Sequence, residues 1–323
     1  MSSNRSEELF VRFQGNPIIQ AKDLPYQANS VFNAGATVVG DNTLLLMRVE
    51  DRRGISHLTA AWSRDGLTGW TIGARPALSP SPLTNPEEQW GIEDPRITWI
   101  EEQGVWAVVY TAFSEAGPLV SLATTRDFES FERKGAVLPP EDKDAALFPT
   151  RFRDGRWAML HRPVPCISTG AHIWISFSPD MKHWGDHQIL IPARRGGWWD
   201  ANRIGLSPPP LRTEKGWLIL YHGVRTTASG CIYRLGLALL DLEDPTQVLA
   251  RSDEWAFAPE EPYEVVGDVD KVVFPCGWVA EGDDVRLYYG GADKCIAVAT
   301  TRVTRMLDWL ETHKSKQSLE LIP

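Results

Sequence analysis

Five short apolar segments recur along the chain at roughly 50–70-residue intervals, and this repeat restricts the fold more than any other feature. They are TLLLMR (43–48), VWAVVY (105–110), RWAMLH (156–161), WLILYH (217–222) and VRLYYG (285–290). Each follows a second extended segment with a tight, polar or proline-bearing opening: FNAGATVV, EDPRITWI, LFPTRF, LSPPPLR and VFPCGWV. A third element follows three of them, WSRDGLTGW (62–70), TTRDFESF (124–131) and SFSPDMKHW (176–184). Each of these reads as a strand, a Ser/Thr-x-Asp turn and an aromatic residue. A weaker version, LLDLEDP, occupies 239–245. Self-similarity at this period, carried only by short strand signals, means radial repetition. The pattern predicts an all-β chain, residues 1–323 forming a single five-bladed β-propeller. One helical pattern stands apart, RVTRMLDWLET (302–312), with Val303, Met306, Leu307 and Leu310 on one face. It predicts a C-terminal helix over about 302–315, packed on the propeller rim or on a second subunit, the latter making a homo-oligomer. No helical pattern alternates with the strands, which argues against a parallel α/β fold.

In a propeller, residues at equivalent repeat positions converge on one axial opening although they are far apart in sequence. The leading segments bring Asn33, Asp94, Lys143 with Asp144, Arg203 and Asp270 to that opening. The ends of the partner strands bring Arg48, Tyr110, His161 with Arg162, His222 and Tyr289. A scaffold needs apolar or self-satisfied groups at such a place, so a ring of acids, cations and hydroxyls points to a site.

Composition narrows the partners. Lys plus Arg is 33 and Asp plus Glu is 42, a net charge of −9. That field attracts neither nucleic acid nor an anionic membrane. The start, MSSNRSEELF, lacks an apolar signal core, and no run approaches the ~18 apolar residues of a membrane span. A cytoplasmic protein is expected. Cys166, Cys231, Cys276 and Cys295 show no CxxC spacing and sit in apolar contexts. They read as free thiols in a reducing compartment, with no metal site. The 14 tryptophans suit packing between sheets, or stacking on the C–H face of a sugar.

The stretch WGIEDPRITWI (90–100) sets two carboxylates, Glu93 and Asp94, directly before Pro95. Proline biases the residue before it toward an extended backbone, so Asp94 is expected at the mouth of a strand as a turn residue or a chemical tool. Glycoside hydrolysis needs two carboxylates. Around Asp94 the prominent groups are instead cations, Lys143, Arg162 and Arg203, with His222 and Tyr233 as further donors. Such a set suits an anionic co-substrate. Phosphate is already anionic and needs no base to act as a nucleophile. One acid and a phosphate cradle are therefore enough for phosphorolysis of a glycosidic bond. No organic cofactor is implied; inorganic phosphate is the co-substrate.

The segments FNAG, RVED, EDPRIT, KDAALFP, HRP, RIG, GWLILYHG, YRLGLALLDLEDP, PYE with VVFPCG, and YYGGAD run in order over residues 32–293. As a set they resemble glycoside hydrolase family 130. The resemblance implies a five-bladed propeller and an inverting β-mannoside phosphorylase, with some β-mannosidases in the family. The compact length and the EDPR form lean toward β-1,2-mannobiose and oligomannan phosphorylases over β-1,4-mannooligosaccharide enzymes. It implies Asp94 as the catalytic acid, its proton passing through the sugar's own 3-hydroxyl. It implies sugar binding by Asn33, Arg48, Asp144 and Asp293, with Glu93 on the mannosyl or aglycone sugar. Phosphate would be held by Lys143, Arg162, Arg203, His222 and Tyr233. Arg203 stands where the family leads one to expect lysine, which keeps the cation and changes its shape. The products would be α-mannose 1-phosphate and a shortened sugar, with acceptor choice in loops 76–90 and 164–172. The rival expectations are a β-mannosidase, and a non-catalytic propeller that binds carbohydrate.

Overall fold

The computed structural model describes residues 8–164, 170–228 and 230–315, so Cys166 and most of loop 164–172 lie outside the described residues. The chain is all-β, with short antiparallel strands in sequential groups. The first group comprises Ser30–Val39, Asn42–Glu50, Ser56–Ser63 and Thr71–Ile72. The second is Gly91–Ile100, Val105–Ser114, Gly117–Thr125 and Phe131–Ala136. A single parallel bridge, Ser56 to Gly91, joins these two. The third is Asp142–Leu147, Trp157–Pro163, Ile173–Ser178 and Gly185–Ile191. The fourth is led by Arg203–Leu206 and continues through Gly216–Thr227, Gly230–Leu240 and Val248–Arg251. The fifth comprises Val273–Glu281, Asp284–Gly291 and Cys295–Arg302. Its outer strand comes from the other end of the chain, where Val11 and Arg12 pair with Thr300 and Ala299.

Alternating apolar positions on these strands fill the space between neighbouring groups. One buried cluster joins Leu44 and Leu46 of the first group to Val108 and Ala112 of the second. Others join the second to the third, the third to the fourth and the fourth to the fifth. Another joins Val279 and Val298 of the fifth group to Val31 and Leu45 of the first. Leading strands touch in the same sequence, Val273–Glu281 against Ser30–Val39, then Gly91–Ile100, Asp142–Leu147 and Arg203–Leu206.

The Ser/Thr-x-Asp turns are one device used three times. Ser63, Thr125 and Ser178 donate their hydroxyls to Asp65, Asp127 and Asp180, each of which accepts two main-chain N–H groups further on. Gly66, Phe128 and Met181 hold the same left-handed turn position. In LLDLEDP the carboxylate of Asp241 accepts from Glu243 and Asp244 in the same manner.

The terminal helix runs Val303–His313. Asp283, on the preceding hairpin, accepts from the Thr304 main chain and hydroxyl at its start. It ends sooner than expected because Ser315 N–H turns to the Arg251 carbonyl, on the outer strand of the fourth group. Met306 and Leu310 are buried in the cluster between the fourth and fifth groups, so this helix packs on its own chain. No helix among the described residues is long and apolar enough to cross a membrane.

Candidate active site

Four of the expected site residues share one unusual backbone conformation, three of them on leading strands. Asn33, Asp94 and Asp144 have φ of 46°, 50° and 54°. Each lies at a register shift in the leading strand of its group, between Phe32 and Gly35, Glu93 and Arg96, and Lys143 and Ala146. A bulge with one residue left-handed re-aims a side chain that a regular strand would direct into a core. Asn and Asp tolerate this region better than other non-glycine residues. The extended backbone expected at Asp94 is therefore not what forms. Asn33 and Asp144 adopt the same φ with no proline after them, so the bulge decides the conformation.

The side chains so aimed meet. Asp94, 2% exposed, accepts from Asn33 Nδ2 at 2.9 Å and Arg48 Nη1 at 3.1 Å, both on Oδ1. Arg48 also donates from Nη2 to Glu93 at 2.9 Å and from Nε to the Ser56 hydroxyl at 3.0 Å. Burial acts to raise the Asp94 carboxyl, but Arg48, Lys143, Arg96 and the Asn33 amide outweigh it and hold it below the usual range. Asp293, half-buried with φ of 52°, has the opposite balance. Burial, with Asp94 and Glu93 nearby, pushes its carboxyl up to about 6 against the pull of Arg48 and Lys143.

Beside this lies a cationic half. Lys143 and Arg162 face each other across an antiparallel pair. Arg162 Nε donates to Asp144 Oδ2 at 2.6 Å, and His222 Nε2 lies 3.4 Å from the same oxygen. Asp144 is held well below the usual carboxylate range, its burial outweighed by Arg162, His222 and Lys143. Burial lowers the His222 imidazole, favouring the neutral ring. The Tyr233 ring lies 6.3 Å from that of His222, and its hydroxyl is raised by burial against the pull of Arg203, Lys143 and Arg162. Arg203 is exposed at the rim, its Nη2 3.5 Å from Cys231 Sγ. The glycine of RIG has a steric reason here, because a side chain at Gly205 would strike Asp144 Oδ2 and His222.

The structure thus gathers Asn33, Arg48, Glu93, Asp94, Lys143, Asp144, Arg162, Arg203, His222, Tyr233 and Asp293. Four other members of the expected ring go elsewhere. Tyr110 donates to Glu88 at 2.7 Å, Tyr289 to Glu264 at 2.7 Å, and His161 Nδ1 lies 2.6 Å from Asp142 Oδ2. Side chains alternate along a strand, so His161 and Arg162 must point to opposite faces. Asp270 is exposed and accepts from the Gly267 main chain. The sequence reading also passed over Arg96, which stands within EDPRIT and is 1% exposed. An arginine at the start of an apolar strand was the available signal.

Among the described residues no group of His, Cys, Asp and Glu has the makings of a metal site. Cys231, Cys276 and Cys295 are free thiols.

Comparison with known proteins bears directly on this cluster. A family model described as beta-1,4-mannooligosaccharide phosphorylase matches residues 8–312. A beta-1,4-mannooligosaccharide phosphorylase of Ruminococcus albus is 33% identical, over 96% of this chain and 93% of its own. A 1,2-beta-oligomannan phosphorylase of a Thermoanaerobacter species is 37% identical over 89% and 95%. The solved structure of a beta-1,2-mannobiose phosphorylase from Listeria innocua, in complex with beta-1,2-mannobiose, superposes with a TM-score of 0.86 at 32% identity, covering 94% of this chain and 99% of that one. The chain belongs to glycoside hydrolase family 130.

Proposed function

We propose that the chain is an inverting β-mannoside phosphorylase and that its five strand groups close into one five-bladed propeller. Closure is supported by the N-terminal strand completing the fifth group and by the apolar cluster between the fifth group and the first. The free thiols agree with a cytoplasmic setting.

Phosphate, held by Lys143, Arg162, Arg203, His222 and Tyr233, attacks the anomeric carbon of a β-linked mannosyl unit. The glycosidic C–O bond breaks on the opposite side, and the departing oxygen takes a proton that originates on Asp94 and passes through the sugar 3-hydroxyl. The products are α-mannose 1-phosphate and the shortened sugar. Asn33, Arg48, Glu93, Asp144 and Asp293 hold the sugar. Asn33 Oδ1 and Asp144 Oδ1, buried with no hydrogen bond among the described residues, are acceptors ready for ligand donors. The cations around Asp94 favour its ionised form. Bound phosphate offsets those cations and eases its protonation, so the acid becomes competent once the nucleophile is present.

The observation that carries this reading is Lys143, whose side chain has no ion-pair or hydrogen-bond partner among the described residues although it shares Tyr233 with Arg162 and Arg203. A partly buried ammonium that acts on Asp94, Asp144 and Asp293 without pairing closely with any of them is available to an anionic ligand. A hydrolytic reading needs a second carboxylate to activate water, and Asp293, raised to about 6, is the group that would serve. Incubation with β-1,2- and β-1,4-mannobiose, with and without phosphate, decides between them. Mannose 1-phosphate formed only with phosphate, and saturating with it, is the expected result. Free mannose released equally fast without phosphate selects hydrolysis.

A further inference from the structure

Arg96, 1% exposed, is the most buried arginine among the described residues, yet it does not form a close ion pair. Its Nε donates to the Ser207 carbonyl at 2.7 Å, its Nη2 to the Leu206 carbonyl at 2.9 Å, and its Nη1 to the carbonyl of Asp94 at 3.1 Å. The nearest carboxylate oxygen, Asp144 Oδ1, is 3.6 Å from Nη2 and has no hydrogen bond of its own. The guanidinium lies 5.9 Å from the centre of the Phe274 ring. One planar group therefore spans three leading strands, holding the main chain at Asp94, the strand Arg203–Leu206 and the carboxylate that Arg162 grips.

We infer that Arg96 is a positioning residue that fixes the acid Asp94 relative to the phosphate-binding half of the site. It is too buried to touch a substrate, so it acts through the groups it holds. The geometry needs arginine, because the three carbonyls lie in directions that a rigid fork meets and a single ammonium cannot. The left-handed backbone at Asp94 makes the need specific. A carboxylate on a bulge has no regular ladder to hold it, and Nη1 secures the carbonyl of that residue. The guanidinium charge is left unneutralised by a close partner, so it also bears on Asp94, which agrees with that carboxyl lying below its usual range.

The inference rests on the phosphorylase reading, and the test separates the two. Arg96→Lys keeps the charge and loses the fork; Arg96→Met keeps the stem and loses the charge. Both are assayed with the wild-type protein for melting temperature, kcat, both KM values and pH–rate profile. In folded Arg96→Lys, kcat is expected to fall by about 10²-fold, the scale of an ångström-sized misplacement, with both KM values within about threefold. In Arg96→Met the alkaline limb of the profile is expected to move to higher pH, since removing a cation eases protonation of Asp94. A folded lysine variant with wild-type kcat and profile overturns the inference. So does failure of both variants to fold, which makes Arg96 a stability residue. Wild-type turnover without phosphate overturns the phosphorylase reading, and the Arg96 comparison is then read on release of mannose.

Discussion

Glu264 and Asp144 are both fully buried carboxylates, and the structure supplies them in opposite ways. Glu264 accepts from Arg12 at 2.8 and 2.9 Å, from Tyr289 at 2.7 Å, and from the main chain of Glu260 and Glu261 at 2.7 and 3.1 Å. Asp144 has one close donor, Arg162, two looser neighbours, His222 and Arg96, and an oxygen with no hydrogen bond. The first arrangement recurs. Glu88 is held by Tyr110 and Arg133, and Asp200 by Tyr221, Arg251 and Arg194. In each set the acid precedes or opens a group, the tyrosine lies on its second strand and the arginine on an outer strand or one paired with it. These sets bind the strands of one group together; Glu264 and Glu88 are filled on both oxygens, while Asp200 takes its three donors on Oδ2 and leaves Oδ1 without one. The central cluster keeps acceptors unfilled, a cation unpaired and backbone in the left-handed region. Unfilled acceptors, an unpaired lysine and left-handed backbone on Asn and Asp coincide at this one place, which suits it to a ligand.

Substitutions test that division, and the largest effect belongs to the acid. Asp94→Asn should lower turnover by about 10²–10⁴-fold while the melting temperature holds, since the change is nearly isosteric. Turnover within about threefold of wild type would remove Asp94 from the chemistry. The mirror experiment is Arg12→Ala. It strands Glu264, whose side chain is fully buried, and should cost about 3–5 kcal/mol in denaturant unfolding with both KM values unchanged. A variant as stable as wild type would mean that Glu264 is satisfied without Arg12.

Arg162 sits between the two classes, because it pairs with Asp144 and also borders the cations. Arg162→Ala should raise the phosphate KM by about tenfold or more, as one charge-assisted contact is worth about 1.5–3 kcal/mol, and leave the mannoside KM nearly unmoved. Arg162→Lys should recover part of this. If melting temperature drops and the two KM values move together, Arg162 belongs with the structural arginines.

The smallest effect is one of pH. The folded chain raises Asp293 from 3.8 to about 6, so between those values the folded state holds a proton that the unfolded state has released. Stability therefore declines as pH rises through that window, by about 1 kcal/mol for a partly exposed group. Asp293→Asn should flatten the decline in unfolding measured across the window, and an unchanged slope would show that Asp293 does not titrate there.

Much of this was legible in the chain. Strand runs, Ser/Thr-x-Asp turns and the terminal helix are local patterns, and the ordered segments of the family resemblance named the site residues that the structure assembles. The four misplaced ring members show where legibility stopped. Tyr110, His161 and Tyr289 lie at or next to the ends of their apolar segments just as Arg48 and His222 do, but facing depends on register. A shift of one residue reverses which side of the sheet a side chain meets.

The sequence by itself determined what is repeated, because strand periodicity and turn chemistry involve residues within a few positions of each other. It also determined which charges were available, since composition and order are all that inventory requires. Only the tertiary structure decided which charges remain free. Arg12 meets Glu264 from the far end of the chain, and Arg96 reaches across to Ser207. The bulges at Asn33, Asp94 and Asp144 turn those three side chains toward one another. Partnership between buried charges depends on distances of a few ångströms, and those are set by how the strand groups pack.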